Sequence, residues 1–278
     1  MEKIRLDELL VRQELCESRE QARRLVMAQD VEVEGHPGPL KPSLRLDAAT
    51  KVIVRKKPPY VSRGGEKLEA ALSAFTISPR GLVYADIGAS TGGFTDCLLK
   101  HGATRVYAID VGRGQLHESL RKDPRVHVME RVNARYLTAA ALPERVDGMT
   151  IDVSFISLRL LWRAAAALLK KGGHCIALVK PQFEAGPRKV EKGGVVSRAE
   201  IHRTVLEQVI ESAGLQGFTL RGLTHSPLLG PAGNVEFFGW WKHTDISFEK
   251  NAGQDIIQKV VENAHVALLS MKRRGYCD

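Results

Sequence analysis

The chain has 278 residues, 44% of them apolar and 26% charged, the balance of a globular protein with room for two modest domains. A formal net charge of +9 favours a polyanionic partner such as nucleic acid or an anionic surface. Scattered cysteines (Cys16, Cys97, Cys175, Cys277) argue against a structural zinc site and a disulfide framework, and no apolar run approaches the ~20 residues of a spanning helix. The richest run, Leu160 to Leu169, is interrupted by Arg163. MEKIRLDELL holds no apolar core of signal-peptide length, so the expectation is a cytoplasmic protein with no metal and no membrane partner.

Residues 1–58 are expected to form one small α+β unit. Leu6, Leu9 and Leu10 recur at helical spacing. Ser18 is a candidate N-cap with Gln21 as its capping-box partner. The following helix places Ala22, Leu25 and Val26 on one face and Arg19, Arg23 and Arg24 largely on the other. Val31 and Val33 alternate as a strand, Gly35 turns the chain, and Val52 to Val54 make another strand. Arg55 to Pro59 is basic, contains two prolines and is expected to be a stiffened linker.

From about residue 60, strands and helices alternate. Strand-like runs lie at Leu82–Ile87, Arg105–Ile109, Val126–Met129, Gly148–Val153 and His174–Val179. That order predicts an α/β fold, a mostly parallel sheet with helices on both faces. Gly217–Thr224 and Val235–Trp241, joined by a Pro/Gly loop, are expected as an antiparallel pair at a sheet edge. Gly186–Gly194 carries three Gly and three Lys/Arg and reads as a basic loop; residues 255–271 have the spacing of a last amphipathic helix. The expected division is 1–58, 59–245 and a helical extension over 246–278.

The first strand of this second part runs into Gly88-Ala89-Ser90-Thr91-Gly92-Gly93-Phe94. A strand, a glycine-rich turn and a helix make a nucleotide-type site, since glycine admits close ligand approach and the helix N-terminus favours anions. The spacing is not that of the dinucleotide fingerprint. Asp86 at the strand end can meet an amino group of a cofactor's amino-acid tail. Asp110 follows the second strand, 24 residues on, where an acid can bind two ribose hydroxyls. Asn133 follows the third strand and is either an adenine reader or a turn residue.

These blocks carry a resemblance. RLDELL, SREQARRLV and the VEVEG turn resemble the RNA-binding domain named after ribosomal protein S4. VSRGGEKL, DIGASTGGFTDCLL, DVGRGQL, DVSFISL, LVKPQFE and GNVEFF resemble the FtsJ-like ribose methyltransferases, and the whole chain to about residue 245 is similar to the TlyA, or hemolysin A, family. The resemblance implies a Rossmann-like class I methyltransferase with a seven-stranded sheet. It implies 2′-O-methylation of ribosomal RNA, at cytidine, with S-adenosylmethionine as cofactor and ribosomal RNA or a ribosomal subunit as partner. It aligns Lys67, Asp152, Lys180 and Glu236 with the family's catalytic Lys-Asp-Lys-Glu set. Asp86, Gly88, Ser90, Gly92, Gly93, Phe94, Asp110 and Asn133 are the expected cofactor residues. Arg5, Arg19, Arg23, Arg24 and Arg63 are the expected RNA contacts. Residues 1–58 hold 12 Lys/Arg against 10 Asp/Glu, so RNA binding there depends on a local basic face.

A ribose 2′-hydroxyl is a weak nucleophile that must be aligned and relieved of its proton. Lys180, at the carboxyl edge beside Asp152, is the expected base; Asp152 would position it, and Lys67 and Glu236 would hold the ribose and tune it. Phe155, Phe183 and Phe237 lie close to these motifs and are read as core rather than as base-stacking residues. The alternatives are a non-catalytic RNA-binding protein on the same fold and a membrane-active hemolysin. An intact set of four argues against the first, and the mixed charge of the last helix against the second.

Overall fold

The computed structural model describes residues 3–16, 18–27, 30–36, 38–54, 59–244 and 253–273. The chain divides into two units, Met1–Pro59 and Tyr60–Asp278.

The first unit contains β1 (Lys3–Arg5), α1 (Leu6–Arg12), α2 (Arg19–Met27), β2 (Val31–Val33), β3 (Arg45–Asp47) and β4 (Val52–Val54). The leucines that recur in α1 (Leu6, Leu9 and Leu10) are buried against Ala22 and Val26 of α2. Ser18 caps α2 by accepting from the Gln21 backbone N–H at 3.2 Å. β2 pairs with β4 and β1 with β3, both antiparallel. The pair β1/β3 is absent from the sequence reading, since three residues are too few to show alternation. Of the expected linker, residues 55–58 lie outside the described residues.

The second unit runs α3 (Arg63–Phe75), β5 (Val83–Ile87), α4 (Gly93–Lys100), β6 (Arg105–Ile109), α5 (Glu118–Arg121), β7 (Val126–Met129), β8 (Val146–Ile151), α6 (Trp162–Leu168), β9 (Leu169–Val179), α7 (Pro181–Glu184), α8 (Ala199–Gly214), β10 (Phe218–His225), β11 (Phe237–His243) and α9 (Gln254–Arg273). Its seven strands are ordered β10-β11-β9-β8-β5-β6-β7. The pairings among β5 to β9 are all parallel.

Side-chain alternation along these strands feeds two cores. Cys175, Ala177 and Val179 of β9 face α6, α8 and α9, with Trp162, Val205 and Val261 among their neighbours. Ile176 and Leu178 face α3 and α4, where Leu68, Leu72 and Leu98 lie. A sheet covered on both faces explains why its strands are nearly continuous apolar runs.

The expected antiparallel pair forms one edge of the sheet as β10 and β11. β10 is the edge strand, whereas β11 inserts between β10 and β9, antiparallel to both. Phe237 of β11 is therefore opposite Val179 of β9, and β11 begins at the edge where the parallel strands end. Among the described residues no helix is long and apolar enough to cross a membrane.

Candidate active site

Loops that follow β5, β6, β7, β8 and β10 at the carboxyl edge of the sheet converge on two adjoining cavities of the second unit, of about 640 and 450 Å³. Both lie within the size range of small-molecule sites. Gly88, Ser90 and Asp152 line both. Gly88 has φ 82°, and a Cβ there would stand 2.2 Å from the Asp152 carbonyl oxygen. Only glycine lets the β5 turn pass this close to the β8 turn.

The smaller cavity holds Asp110, Asn133 and Phe155 at its wall. The Asp110 carboxylate is fixed by two backbone donors: Ser90 N–H to Oδ2 at 2.8 Å and Gly112 N–H to Oδ1 at 2.7 Å. A carboxylate so oriented keeps lone pairs for a ligand diol. Asn133 uses its Oδ1 to cap the helical turn Ala134–Tyr136, accepting from Arg135 N–H at 3.1 Å. Asn133 thus fills the turn role and also sits on the cavity wall.

The larger cavity receives the first turns of both α3 and α4, through Arg63, Gly64, Gly93 and Phe94. A Cβ on Gly93 would meet Ser62 Oγ at 2.2 Å, so glycine is what lets the two helix starts abut. Two helix N-termini and the Arg63 guanidinium make this cavity suited to an anionic group. Gly92 is not on its wall; with φ 96° it makes room for Leu116 and Leu120.

Asp86 departs from expectation. Its carboxyl is fully buried and accepts from Thr95 Oγ1 at 2.7 Å and Thr150 Oγ1 at 2.8 Å. Asp86 and Tyr84 share the face of β5 covered by α3 and α4, and Asp86 is in register with Thr150 on β8. Strand alternation thus turns it under α4 and away from the cavities. Burial pushes its pKa up to about 6 against the pull of the two threonine hydroxyls.

The four expected catalytic residues assemble as two ion pairs. Lys67 Nζ lies 2.6 Å from Glu236 Oε2, with side chains 11% and 0% exposed. Lys180 Nζ lies 2.6 Å from Asp152 Oδ1 and donates to Ser154 Oγ at 3.0 Å. The antiparallel insertion of β11 makes this possible: Glu236 precedes β11, Lys180 follows β9, and both come to one edge. Glu236 Oε1 is buried without a hydrogen-bond partner, beside Gly230, where a Cβ would stand 2.2 Å from it. Lys67 and Asp152 line the larger cavity. Ser154 was missed from the sequence, although it stands inside DVSFISL between Asp152 and Phe155.

The three phenylalanines separate. Phe237 is fully buried, as expected, but Phe155 is 92% exposed at φ 64°, its ring 5.0 Å from that of half-buried Phe183. The core reading fails for Phe155, because the loop after β8 turns it outward at the rim of the smaller cavity.

In the first unit Arg5 donates to both oxygens of buried Asp7 at 3.0 and 2.9 Å, and Arg19 lies 3.5 Å from the same carboxylate. Arg5 pulls the Asp7 carboxyl below its usual range. Arg23 is exposed on α2; the side chain of Arg24 lies outside the described residues. Arg63 belongs to the second unit, at the cavity rim, and donates to Leu229 O at 3.4 Å.

The FtsJ-like methyltransferase family matches residues 60–243 and the S4 domain matches residues 4–38. The chain is 42% identical over 260 residues to the 16S/23S rRNA (cytidine-2′-O)-methyltransferase TlyA of Mycobacterium tuberculosis, covering 92% of this chain and 97% of that protein. It is 38% identical over 235 residues to Hemolysin A of Brachyspira hyodysenteriae, covering 84% of this chain and 98% of that one. A solved Streptococcus thermophilus structure that carries a hemolysin name superposes with a TM-score of 0.76 at 43% identity, covering 98% of this chain and 99% of that chain.

Proposed function

Since the chain belongs to the TlyA branch of the FtsJ-like methyltransferases, we propose that it methylates a ribose 2′-hydroxyl of ribosomal RNA, at cytidine, using S-adenosylmethionine. The observation that carries this reading is the meeting of Lys67, Asp152, Lys180 and Glu236 beside a ligand-sized cavity, from sequence positions as far apart as 169 residues. Neither RNA binding nor packing alone needs two such pairs at one cavity edge.

Asp110 and Asn133 would hold the nucleoside part of the cofactor, and Gly88, Ser90 and Gly93 would line the path to the larger cavity. When bound, S-adenosylmethionine supplies an electrophilic methyl group on a sulfonium. The chain's own work is to bring the hydroxyl into line and to move its proton. Lys180 Nζ is anchored by Asp152 and Ser154, which leaves its remaining direction for a substrate hydroxyl. Lys180 is the group placed to take the hydroxyl proton, with Asp152 beside it to hold the ammonium. Lys67, neutralised by Glu236, is placed to donate to a ribose oxygen. Phe155, exposed at the rim, offers a face on which a base can stack. In the first unit Arg5 and Arg19, braced by Asp7, and Arg23 supply phosphate contacts.

The test is to map 2′-O-methyl positions in small- and large-subunit RNA from cells with and without the protein, then repeat the transfer with purified protein on unmethylated subunits. One or more cytidine sites should depend on the protein in both settings. If no 2′-O-methyl site differs, and the purified protein binds RNA without transferring a methyl group, it is a binding protein on this fold.

A further inference from the structure

The LVKPQFE block holds one acid, Glu184, that the proposed chemistry does not use. α7 is a single helical turn after β9, with Lys180 at its N-cap and Glu184 at its end. Glu184 is 4% exposed, yet both carboxylate oxygens are engaged. Ser157 Oγ donates to Oε2 at 2.5 Å and Leu158 N–H donates to Oε1 at 2.7 Å. The Arg159 guanidinium lies 3.6 Å from Oε2. All three partners belong to the loop that follows β8, the same loop that supplies Asp152, Ser154 and Phe155.

That loop is held under strain. Phe155 has φ 64°, a conformation that a bulky side chain avoids and that persists only where the surroundings dictate it. At its near end Asp152 N–H donates to Ile87 O at 2.9 Å. At its far end Leu158 N–H is taken by Glu184. Between the two ends Lys180 reaches Asp152 and Ser154, and Phe183 lies against Phe155. Residues 180 and 184 bracket this turn, one at its N-cap and one at its last position. One helical turn thus grips the loop at both ends: Lys180 holds its catalytic end and Glu184 its far end.

We propose that Glu184 is a positioning residue, whose carboxylate ties the loop of residues 152–158 to α7 and so fixes Lys180 Nζ against Asp152 and Ser154. The inference rests on the functional reading above for the role of Lys180, but the clamp itself is a property of the chain. Burial pushes the Glu184 carboxyl up, while its hydrogen bonds to Ser157 and Leu158 and the charge of Arg159 oppose that. Glutamine can keep the clamp: its oxygen accepts from Leu158 N–H, and its amide can donate to Ser157 Oγ. Alanine cannot, and it leaves a buried N–H without a partner.

Two measurements on the full chain test this. The first is acetylation of lysines by acetic anhydride, read peptide by peptide, with Lys122, 74% exposed, as internal reference. Lys180, 11% exposed, ion-paired with Asp152 and bonded to Ser154 Oγ, should be protected in the unaltered chain and in Glu184→Gln, and acetylated several-fold faster in Glu184→Ala. The second is methyl transfer to unmethylated ribosomal RNA. Glu184→Ala should lower kcat about 10- to 100-fold, the range that a small misplacement of a reacting group costs, with KM for RNA little changed. Glu184→Gln should recover most of the loss. If Glu184→Ala does not fold, Ser157→Ala removes one strand of the clamp and should shift both readouts in the same direction by less. Unchanged Lys180 labelling in Glu184→Ala overturns the proposal, as does a loss that glutamine does not rescue. If the unaltered chain transfers no methyl group, the functional reading fails while the labelling still decides the clamp.

Discussion

Asp86→Asn separates two roles for the acid at the end of β5. In the structure the carboxyl is fully buried between Thr95 and Thr150, and burial raises its pKa to about 6. A carboxyl whose folded pKa lies above its unfolded value binds its proton more tightly in the folded protein. The stability it contributes is present below about pH 4 and is lost as pH rises through about 6. The difference from the ordinary value of 3.8 corresponds to roughly 3 kcal/mol, an order of magnitude for the cost of the buried charge at neutral pH. Asparagine removes that charge and retains an acceptor for one threonine, while the other hydroxyl can turn to accept from the amide. Near pH 4 the variant and the unaltered chain should melt together. At pH 8 the variant should melt higher by roughly 6 to 12 °C, at about 2 to 4 °C per kcal/mol for a unit of this size. Circular dichroism melts across that range measure the difference, and groups common to both proteins cancel. Cofactor affinity by calorimetry should be unchanged. A melting difference independent of pH would refute the buried-charge argument. Cofactor binding weakened tenfold or more in a folded variant would instead restore the cofactor role assigned from sequence.

Lys180→Ala should cut methyl transfer by about 10²- to 10⁴-fold with cofactor and RNA still bound, and Lys180→Arg should not rescue it, because a guanidinium stays protonated; near-normal transfer by the arginine variant would make Lys180 an electrostatic anchor. Asp110→Ala removes the acceptor for Ser90 and Gly112 N–H and should weaken S-adenosylmethionine binding at least about tenfold, ~1.4 kcal/mol, by calorimetry. Phe155→Ala should leave thermal stability unchanged, because the ring is 92% exposed. It should weaken the RNA complex by about 1 to 3 kcal/mol in a binding titration if a base stacks there. Arg23→Ala should lower RNA affinity and flatten its salt dependence without a stability cost. Arg5→Ala should do so and also lower the melting temperature, since the Asp7 side chain, 1% exposed, loses its two-point partner.

Much of this protein is legible in its sequence because the signals are local. Apolar spacing marks α1 and α2, continuous apolar runs mark the buried parallel strands, and Gly88 to Phe94 marks a glycine-rich turn, most of which lines the larger cavity. The Lys-Asp-Lys-Glu set was legible only through resemblance, since a single Lys or Asp at a strand end carries no signal of its own. Three things were decided by the tertiary structure. Within the antiparallel edge pair, β11 lies inside against β9 and β10 outermost, because strand pairing depends on which neighbour is left open, and that order carries Glu236 to Lys67. Asp86 turns inward because Thr150 stands in register on the adjacent strand and Thr95 on the helix above, neither visible from its own position in the sequence. Phe155 turns outward because the loop is held at both ends, and a side chain's direction in a loop is set by what grips the loop, not by the residue itself.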